Sequence, residues 1–136
     1  MSYGVSAALQ AAVFQQLSLD PVLTGLVPGA IFDAEPSGTL PPTYVSLGPE
    51  SVRAQSDVTS DGAVHEFQVS IVTEAAGFQG AKDVAAAVSD ALVDADLVLG
   101  RGELISLRFF KAQAARVDTG TARRIDLTFR ARVDDV

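Results

Sequence analysis

The chain has 136 residues, of which 48% are hydrophobic and 20% are charged. This balance excludes wholesale disorder, and the length corresponds to a single domain over residues 1–136. The net charge of −7 argues against a protein that grips nucleic acid phosphates, and the absence of cysteine excludes disulfides and thiolate metal sites.

Charge is unevenly distributed along the chain. Residues 1–100 hold two basic side chains against twelve acidic ones, a net charge of −10, whereas residues 101–136 hold eight against five, a net charge of +3. Such a split suits a subunit that meets copies of itself in a fixed orientation, although two solvated faces of different composition would also produce it. No signal peptide and no membrane-spanning run is recognisable, so we expect a soluble chain.

Two helices are predicted at the start of the chain. Apolar residues at three- and four-residue spacing predict an amphipathic helix over residues 4–19, with Ser2 or Ser6 as its N-cap. Asp20 followed by Pro21 is typical of an N-cap and a first helical position, so a short second helix should follow.

Strands and a long hairpin are predicted next. Residues 30–33 form a short strand candidate, and the proline-rich stretch 34–42 predicts a loop. Residues 43–54 predict a strand with a bulge at its Gly-Pro dipeptide, and the alternation over residues 65–71 predicts a half-buried strand. The polar residues 55–62 between them should form the tip of this hairpin.

The second half of the chain predicts a helix followed by another hairpin. Gly77 opens the helix, whose apolar stripe runs through Ala95. An alternating strand then starts at Ile105, and a phase shift at residues 109–110 predicts a bulge. Residues 123–133 alternate most clearly of all, with one apolar and one basic face.

This order predicts an α+β fold, in which an antiparallel sheet built from hairpins carries two helices on one face. The opposite face of the sheet should be polar and exposed. A free monomer would leave that face in water, whereas an assembly would cover it or turn it toward a lumen. The predicted residues of this polar face are Glu66, Gln68, Ser70, Arg108, Arg124, Asp126, Arg130 and Arg132.

Side chains able to support catalysis or bind metal are sparse. His65 is the only histidine, and since it is in phase with apolar neighbours we interpret it as a packed residue with one nitrogen hydrogen-bonded. Asp90, Asp94 and Asp96 resemble a cation cluster only superficially, because the first two should lie one turn apart on the solvated face of a helix. No nucleotide-binding or hydrolase motif is present, so the sequence predicts a non-enzyme without metal or cofactor.

Four stretches, which together span nearly the whole chain, carry a family resemblance. In order they are YGVSAALQAAVFQQL, IFDAEPSGTLPPTYVSLGPE, VAAAVSDALVDADLVL and RRIDLTFRARV. They resemble the tail-completion, or tail-terminator, family of long-tailed phages, and most of all its versions in gene transfer agents and prophages of alphaproteobacteria. None of these stretches is a catalytic motif.

The resemblance implies a small α+β subunit of the tail-terminator type that assembles into a ring, usually a hexamer. Such a ring sits on the head-proximal end of the tail tube, ends tube polymerisation and joins the tail to a head-side connector protein, with DNA passing through its channel. The implied location is the tail of a virion or phage-like particle assembled in the bacterial cytoplasm. The alternatives are another head–tail connector component, such as an adaptor or stopper, and a small-molecule binding module.

Two groups of residues are therefore candidates for contact with partners. We expect the basic residues of the last strand to pair with acids, on their own sheet or on a neighbouring subunit; the candidate interface residues are Arg124, Arg130 and Arg132. We expect the polar hairpin tip to dock against a tube or connector partner, because a rigid scaffold positions loops at strand ends. The residues of the tip are Gln55, Ser56, Asp57, Val58, Thr59, Ser60, Asp61 and Gly62.

Overall fold

The computed structural model describes residues 3–55, 62–117 and 122–135, which form helices and strands in an α+β arrangement. In chain order the elements are α1 (Ser6–Leu19), α2 (Pro21–Leu26), β1 (Ile31–Phe32), β2 (Thr43–Ala54), β3 (Gly62–Thr73), α3 (Gln79–Leu92), β4 (Glu103–Arg116) and β5 (Arg123–Asp134).

The strands form one sheet in the order β1-β2-β3-β5-β4. Neighbouring strands are antiparallel except at one edge, where β1 pairs in parallel with β2 and places Ile31 opposite Val45. The parallel pair arises because the loop over residues 33–42 carries the chain back before β2 begins. The predicted α+β class is confirmed, and the sheet is mostly rather than wholly antiparallel.

The hydrophobic core lies between the helices and one face of the sheet. Leu9, Val13 and Leu17 form the buried stripe of α1, and α3 buries a stripe made mainly of alanine and valine. Along β5 every second side chain from Ile125 to Val133 is buried, as its alternation predicts. Each buried leucine or valine contributes about 1.5–3 kcal/mol, so these stripes determine which faces the helices turn toward the sheet.

One predicted helix cap is confirmed and the other is wrong. The Asp20 carboxylate accepts the backbone N–H three residues later at 2.9 Å and caps α2. The N-cap residue of α1 is Val5, which makes no side-chain cap, while the hydroxyl of Ser6 instead donates to Glu50 at 2.8 Å. A hydrogen bond to a carboxylate is stronger than one between neutral groups, which explains the preference of this hydroxyl. Ser2, the other predicted cap, lies outside the described residues.

Both predicted bulges are present. The pairing of β2 with β3 shifts between Leu47 and Glu50, and that of β4 with β5 shifts between Phe109 and Lys111. A further shift, which the sequence did not predict, lies at Ile105. These irregularities bend the strands and change which face a side chain occupies.

The helix α3 ends earlier than its apolar stripe predicts. It stops at Leu92, and Asp94 adopts a left-handed conformation with φ of 57° while its backbone N–H donates to the carbonyl of Leu107 at 3.0 Å. This contact ties the chain to β4 directly after the helix. Asp94 therefore does not continue the helical face of Asp90, and Ala95 lies beyond the helix, contrary to the prediction.

Candidate functional site

The predicted hairpin tip is described only at its two ends. The strands β2 and β3 stay paired out to Ala54 and Ala63, and the backbone N–H of Gln55 then donates to the carbonyl of Gly62 at 2.9 Å. A Cβ on Gly62 would lie 2.8 Å from the Gln55 carbonyl oxygen, so only glycine allows this close approach. The residues 56–61, which make up most of the predicted docking element, lie outside the described residues.

A hydrogen-bonded network lies on the polar face of the sheet. Arg124 donates from Nε to Asp126 Oδ1 at 2.7 Å and from Nη2 to the Ser70 hydroxyl at 3.1 Å. The Ser70 hydroxyl in turn donates to Asp126 at 2.7 Å and accepts from the amide of Gln68 at 3.2 Å. Ser70 is fully buried, which corrects its prediction as exposed, and its hydroxyl is hydrogen-bonded to the side chains of Gln68, Arg124 and Asp126.

Arg130 is held on the same face by two contacts. Its Nε donates to Glu66 Oε2 at 3.1 Å, and its guanidinium carbon lies 3.5 Å from the centre of the Phe110 ring. A cation stacked on an aromatic face at an exposed site gains about 0.5–1 kcal/mol. Phe110 is the extra residue of the β4 bulge, so the bulge aims this ring at Arg130. The sequence predicted the bulge but not this partner.

Arg132 differs from the other two predicted interface residues. Its Nη2 makes one long contact of 3.5 Å with the carbonyl of Gln55, and no carboxylate among the described residues pairs with it. Arg108, opposite Arg130 in the ladder, is exposed and likewise lacks a carboxylate partner within the described ranges. Arg124 and Arg130 therefore pair within their own sheet, while Arg132 and Arg108 have no ion-pair partner within the part of the chain that the structure describes.

The outer edge of β4 is a surface that the sequence analysis did not single out. Every residue from 108 to 116 is exposed, and β4 also carries three exposed large hydrophobic side chains: Ile105, Phe109 and Phe110. Phe109 packs edge-on against the buried Phe129, with ring centres 6.0 Å apart. The sequence contains a signal for this surface. Phe109 and Phe110 are adjacent at the predicted bulge, so one ring should lie on each face of the strand.

An acid-bearing segment follows β1 at the other edge of the sheet. The carbonyl of Asp33 accepts from the Gln10 amide at 3.3 Å, and Glu35 accepts from the hydroxyl of Tyr44 at 3.0 Å. Burial, the hydrogen bond to Glu35 and the charge of that carboxylate raise the pKa of Tyr44 above its ordinary value. The backbone of Asp33 and the carboxylate of Glu35 are thus fixed although both residues are exposed.

Glu50 collects hydrogen bonds that tie α1 to the sheet. It accepts from the Tyr3 hydroxyl at 2.7 Å, from the Ser6 hydroxyl, and from Nδ1 of the fully buried His65 at 3.1 Å. Burial alone would raise the pKa of Glu50, but the hydrogen bonds from Tyr3, His65 and Ser6 outweigh it and hold that pKa below its ordinary value. His65 Nε2 has no partner within the described part of the chain, so the predicted histidine with one bonded nitrogen is confirmed.

Comparison with known proteins identifies the family. Residues 11–134 match the family model described as tail completion protein gp17. The chain belongs to the tail completion protein gp17 family. One chain in a solved structure of the virion of a native gene transfer agent particle is 61% identical, with a TM-score of 0.92, over 98% of this chain and 99% of that chain.

A second solved structure shares the fold of this tail completion protein at 18% identity, with a TM-score of 0.54 over 96% of both chains. No curated protein matches the chain in sequence. Membership of the family and the virion match indicate a structural phage-tail protein, as the resemblance implied.

Within the described residues, no helix of this tail completion protein is long and apolar enough to cross a membrane. Over the same ranges, no three histidine, aspartate or glutamate side chains come together as a metal-binding group. Asp90 and Asp96 are exposed on either side of the left-handed Asp94.

Proposed function

We propose that this tail completion protein forms a hexameric ring at the head-proximal end of a tail tube. The ring ends tube polymerisation and joins the tail to the head, and DNA passes through its channel. The observation that carries this proposal is the family match over residues 11–134 together with a 61% identical chain in the virion of a native gene transfer agent particle.

The partners in this proposal are copies of the chain itself, the tail tube protein on one side and a head-side connector or stopper protein on the other. The particle would be a phage-like one of the gene transfer agent kind, assembled in the bacterial cytoplasm. DNA is a passing cargo in this arrangement, which agrees with a chain whose net charge is −7.

Two surfaces are proposed to contact these partners. The hairpin tip over residues 55–62 docks against the tube or the connector, and its support is the strand pair that ends at it. Arg124, Arg130 and Arg132 lie at a subunit interface. Arg124 and Arg130, already bonded within the sheet, contribute a fixed surface, while Arg132 supplies a charge that no carboxylate among the described residues neutralises.

Deletion of the gene, followed by electron microscopy of the particles, tests the proposed function. Loss of a terminator should give overlong tails without heads, and wild-type protein supplied in trans should restore tail length. Loss of an adaptor or stopper would instead give tails of normal length that fail to join heads. Labelling the complementing protein at its N-terminus should place it at the head-proximal end of the tube. Tails of normal length, joined to heads in the deletion strain, would contradict the proposal.

A further inference from the structure

The strand β4 leaves its outer side open from Arg108 onward, whereas at Leu107 the carbonyl already accepts the backbone N–H of Asp94. It is the last strand in the sheet order, and its open part over residues 108–116 has nine residues, so at about 3.3 Å per residue this edge is roughly 30 Å long. An exposed edge strand presents unpaired N–H and C=O groups that favour pairing with another strand. At the opposite edge, β1 covers β2 only at Val45 and Ser46, so β2 is also open beyond that point.

Side chains on β4 suit a second strand laid beside it. Phe109 and Phe110 are about half exposed, yet each ring is already held, one by Phe129 and the other by Arg130. Held side chains lose little conformational freedom when a partner covers them. The positions beyond the bulge carry small alanine side chains, which permit close approach: Ala112, Ala114 and Ala115.

The pairing register aligns the two open edges of the sheet. We call two residues level when the paired positions of the strands between them connect one to the other. By this path Ile31 of β1 is level with Ala114 of β4, and Asp33 is level with Ala112. By the same path, Arg53 near the end of β2 is level with Ser106. Each position at one edge thus has a defined counterpart at the other.

The free charges at aligned positions have opposite signs. The end of β4 beyond its second bulge carries Lys111 and Arg116, neither of which pairs with a carboxylate among the described residues, and the level end of the other edge carries Asp33. Two copies placed edge to edge would therefore oppose unlike charges at this end of the contact.

We propose that the outer edge of β4 pairs with the β1–β2 edge of a second copy of this chain, so that the sheet continues from one subunit to the next. Because β4 runs antiparallel to β2, the new ladder is antiparallel, with Lys111 beside the partner's Asp33. The contact uses different surfaces on the two copies, so it repeats until it closes into a ring. The inference rests on the proposed ring and names the surface that builds it.

A disulfide cross-link tests this pairing, since the chain has no cysteine of its own. Neighbouring antiparallel residues have Cα atoms about 4.5–5.5 Å apart, which a disulfide can bridge. Particles carrying Asp33→Cys together with Ala112→Cys should yield a ladder of covalent multimers after oxidation, on a gel without reductant. Either single variant should yield none, and neither should Ala86→Cys with Ala112→Cys, in which the first site is exposed on α3.

Exchanging the charges of Lys111 and Asp33 is a second test of the same pairing, which applies if the cysteine variant fails to enter particles. Lys111→Glu and Asp33→Lys should each reduce the number of joined particles at least tenfold while circular dichroism stays unchanged, and the two together should restore most of that number. Folded single variants with normal particle numbers, or a double variant no better than the singles, would overturn the pairing.

The two proposals fail in different ways. Labelled protein at the tail end without cross-linked multimers overturns the edge pairing and leaves the proposed function standing. Cross-linked multimers from a protein that lies elsewhere on the particle keep the pairing and overturn the proposed function.

Discussion

At the residue scale, Glu50 of β2 joins the beginning of α1 to β3 through its two carboxylate oxygens. Its partners lie in the turn before α1, at the first position of α1 and in the middle of β3: Tyr3, Ser6 and His65. Since His65 is fully buried, the carboxylate is the group that satisfies its Nδ1.

The depressed pKa of Glu50 predicts a loss of stability in acid. A carboxyl whose folded pKa lies below its unfolded value of 4.5 stabilises the fold above pH 4.5, and that contribution disappears as the pH falls through the folded pKa. Glu50→Gln should therefore destabilise the protein at pH 7 by about 1–2 kcal/mol and flatten the acid limb of its stability curve. Urea unfolding from pH 7 to pH 3 measures both effects.

Glu74→Gln is the matched control for this measurement, because Glu74 is exposed and its side chain makes no hydrogen bond or ion pair with the described residues. The unfolding free energy of Glu74→Gln should depend on pH between 7 and 3 as that of the wild type does. Equal acid limbs for Glu50→Gln and wild type would contradict the role given to Glu50.

The environment of Gly102, like that of Gly62, permits only glycine. Its φ is +77°, and an added Cβ would lie 2.7 Å from the Asp134 carbonyl oxygen and 2.8 Å from a methyl of Val5. Gly102→Ala should cost about 3 kcal/mol, since strain of about 1–2 kcal/mol in the left-handed region adds to overpacking of a similar size. Gly77→Ala isolates the strain, because Gly77 also has a positive φ but open space around it. Thermal unfolding of the two variants should differ clearly; equal losses would refute the packing argument.

At the element scale, the long β2–β3 hairpin has a stem of paired strands that the structure describes. The residues that follow the stem, 56–61, are mostly polar in sequence. The stem ends in the hydrogen bond between Gln55 and Gly62, which holds the two strands together at the base of the tip. A change confined to residues beyond that bond leaves the ladder intact.

Replacing residues 57–60 with a short Gly-Ser turn tests whether this element docks. We expect a folded variant with a melting temperature close to wild type, since the strand pairing is retained. If the tip contacts the tube or the connector, particles made with the variant should carry overlong tails or tails without heads, as measured by electron microscopy. Normal tail length and normal DNA delivery would mean that the tip is only a turn.

At the scale of the whole molecule, the uneven distribution of charge along the chain places basic and acidic side chains on different surfaces. Free basic side chains concentrate on β4 and β5, where Arg108, Lys111 and Arg132 lack carboxylate partners among the described residues. The acids on α3 and on the segment after β1 lie elsewhere, at exposed positions such as Asp33, Asp83 and Asp90. Opposite charges on separate surfaces orient association between copies.

Reversing Arg132 tests whether this free charge serves assembly. Arg132→Glu should leave the unfolding free energy within about 0.5 kcal/mol, because among the described residues the side chain makes one long hydrogen bond and no ion pair, while the fraction of tails joined to heads falls sharply. Adding Arg130→Glu should also cost stability, since it removes the ion pair with Glu66 and the stacking on Phe110. Lys82→Glu on the exposed face of α3 is the control for a surface charge reversal. Normal particles from a folded Arg132→Glu protein would remove it from the interface.

Much of the fold could be predicted because its signals are local. The caps, turns and alternating strands depend on residues a few positions apart, so Asp20 at the start of α2 and the bulge after Phe109 were accessible from the sequence. The Ser6 cap failed because a distant carboxylate, Glu50, competes for the same hydroxyl. The early end of α3 was missed because its cause is a contact with Leu107 on another strand.

The sequence by itself determined the periods of the helices and strands, the α+β class, and the apolar and basic faces of the last strand, because each follows from side chains spaced two to four residues apart. Only the tertiary structure decided which strands lie at the edges, which arginines pair within the sheet and which remain free. The Arg130–Glu66 pair joins residues 64 positions apart, and the open side of β4 follows from a strand order in which β5 comes between β3 and β4. Such features depend on pairing between distant segments, and no local pattern specifies the register that brings them together.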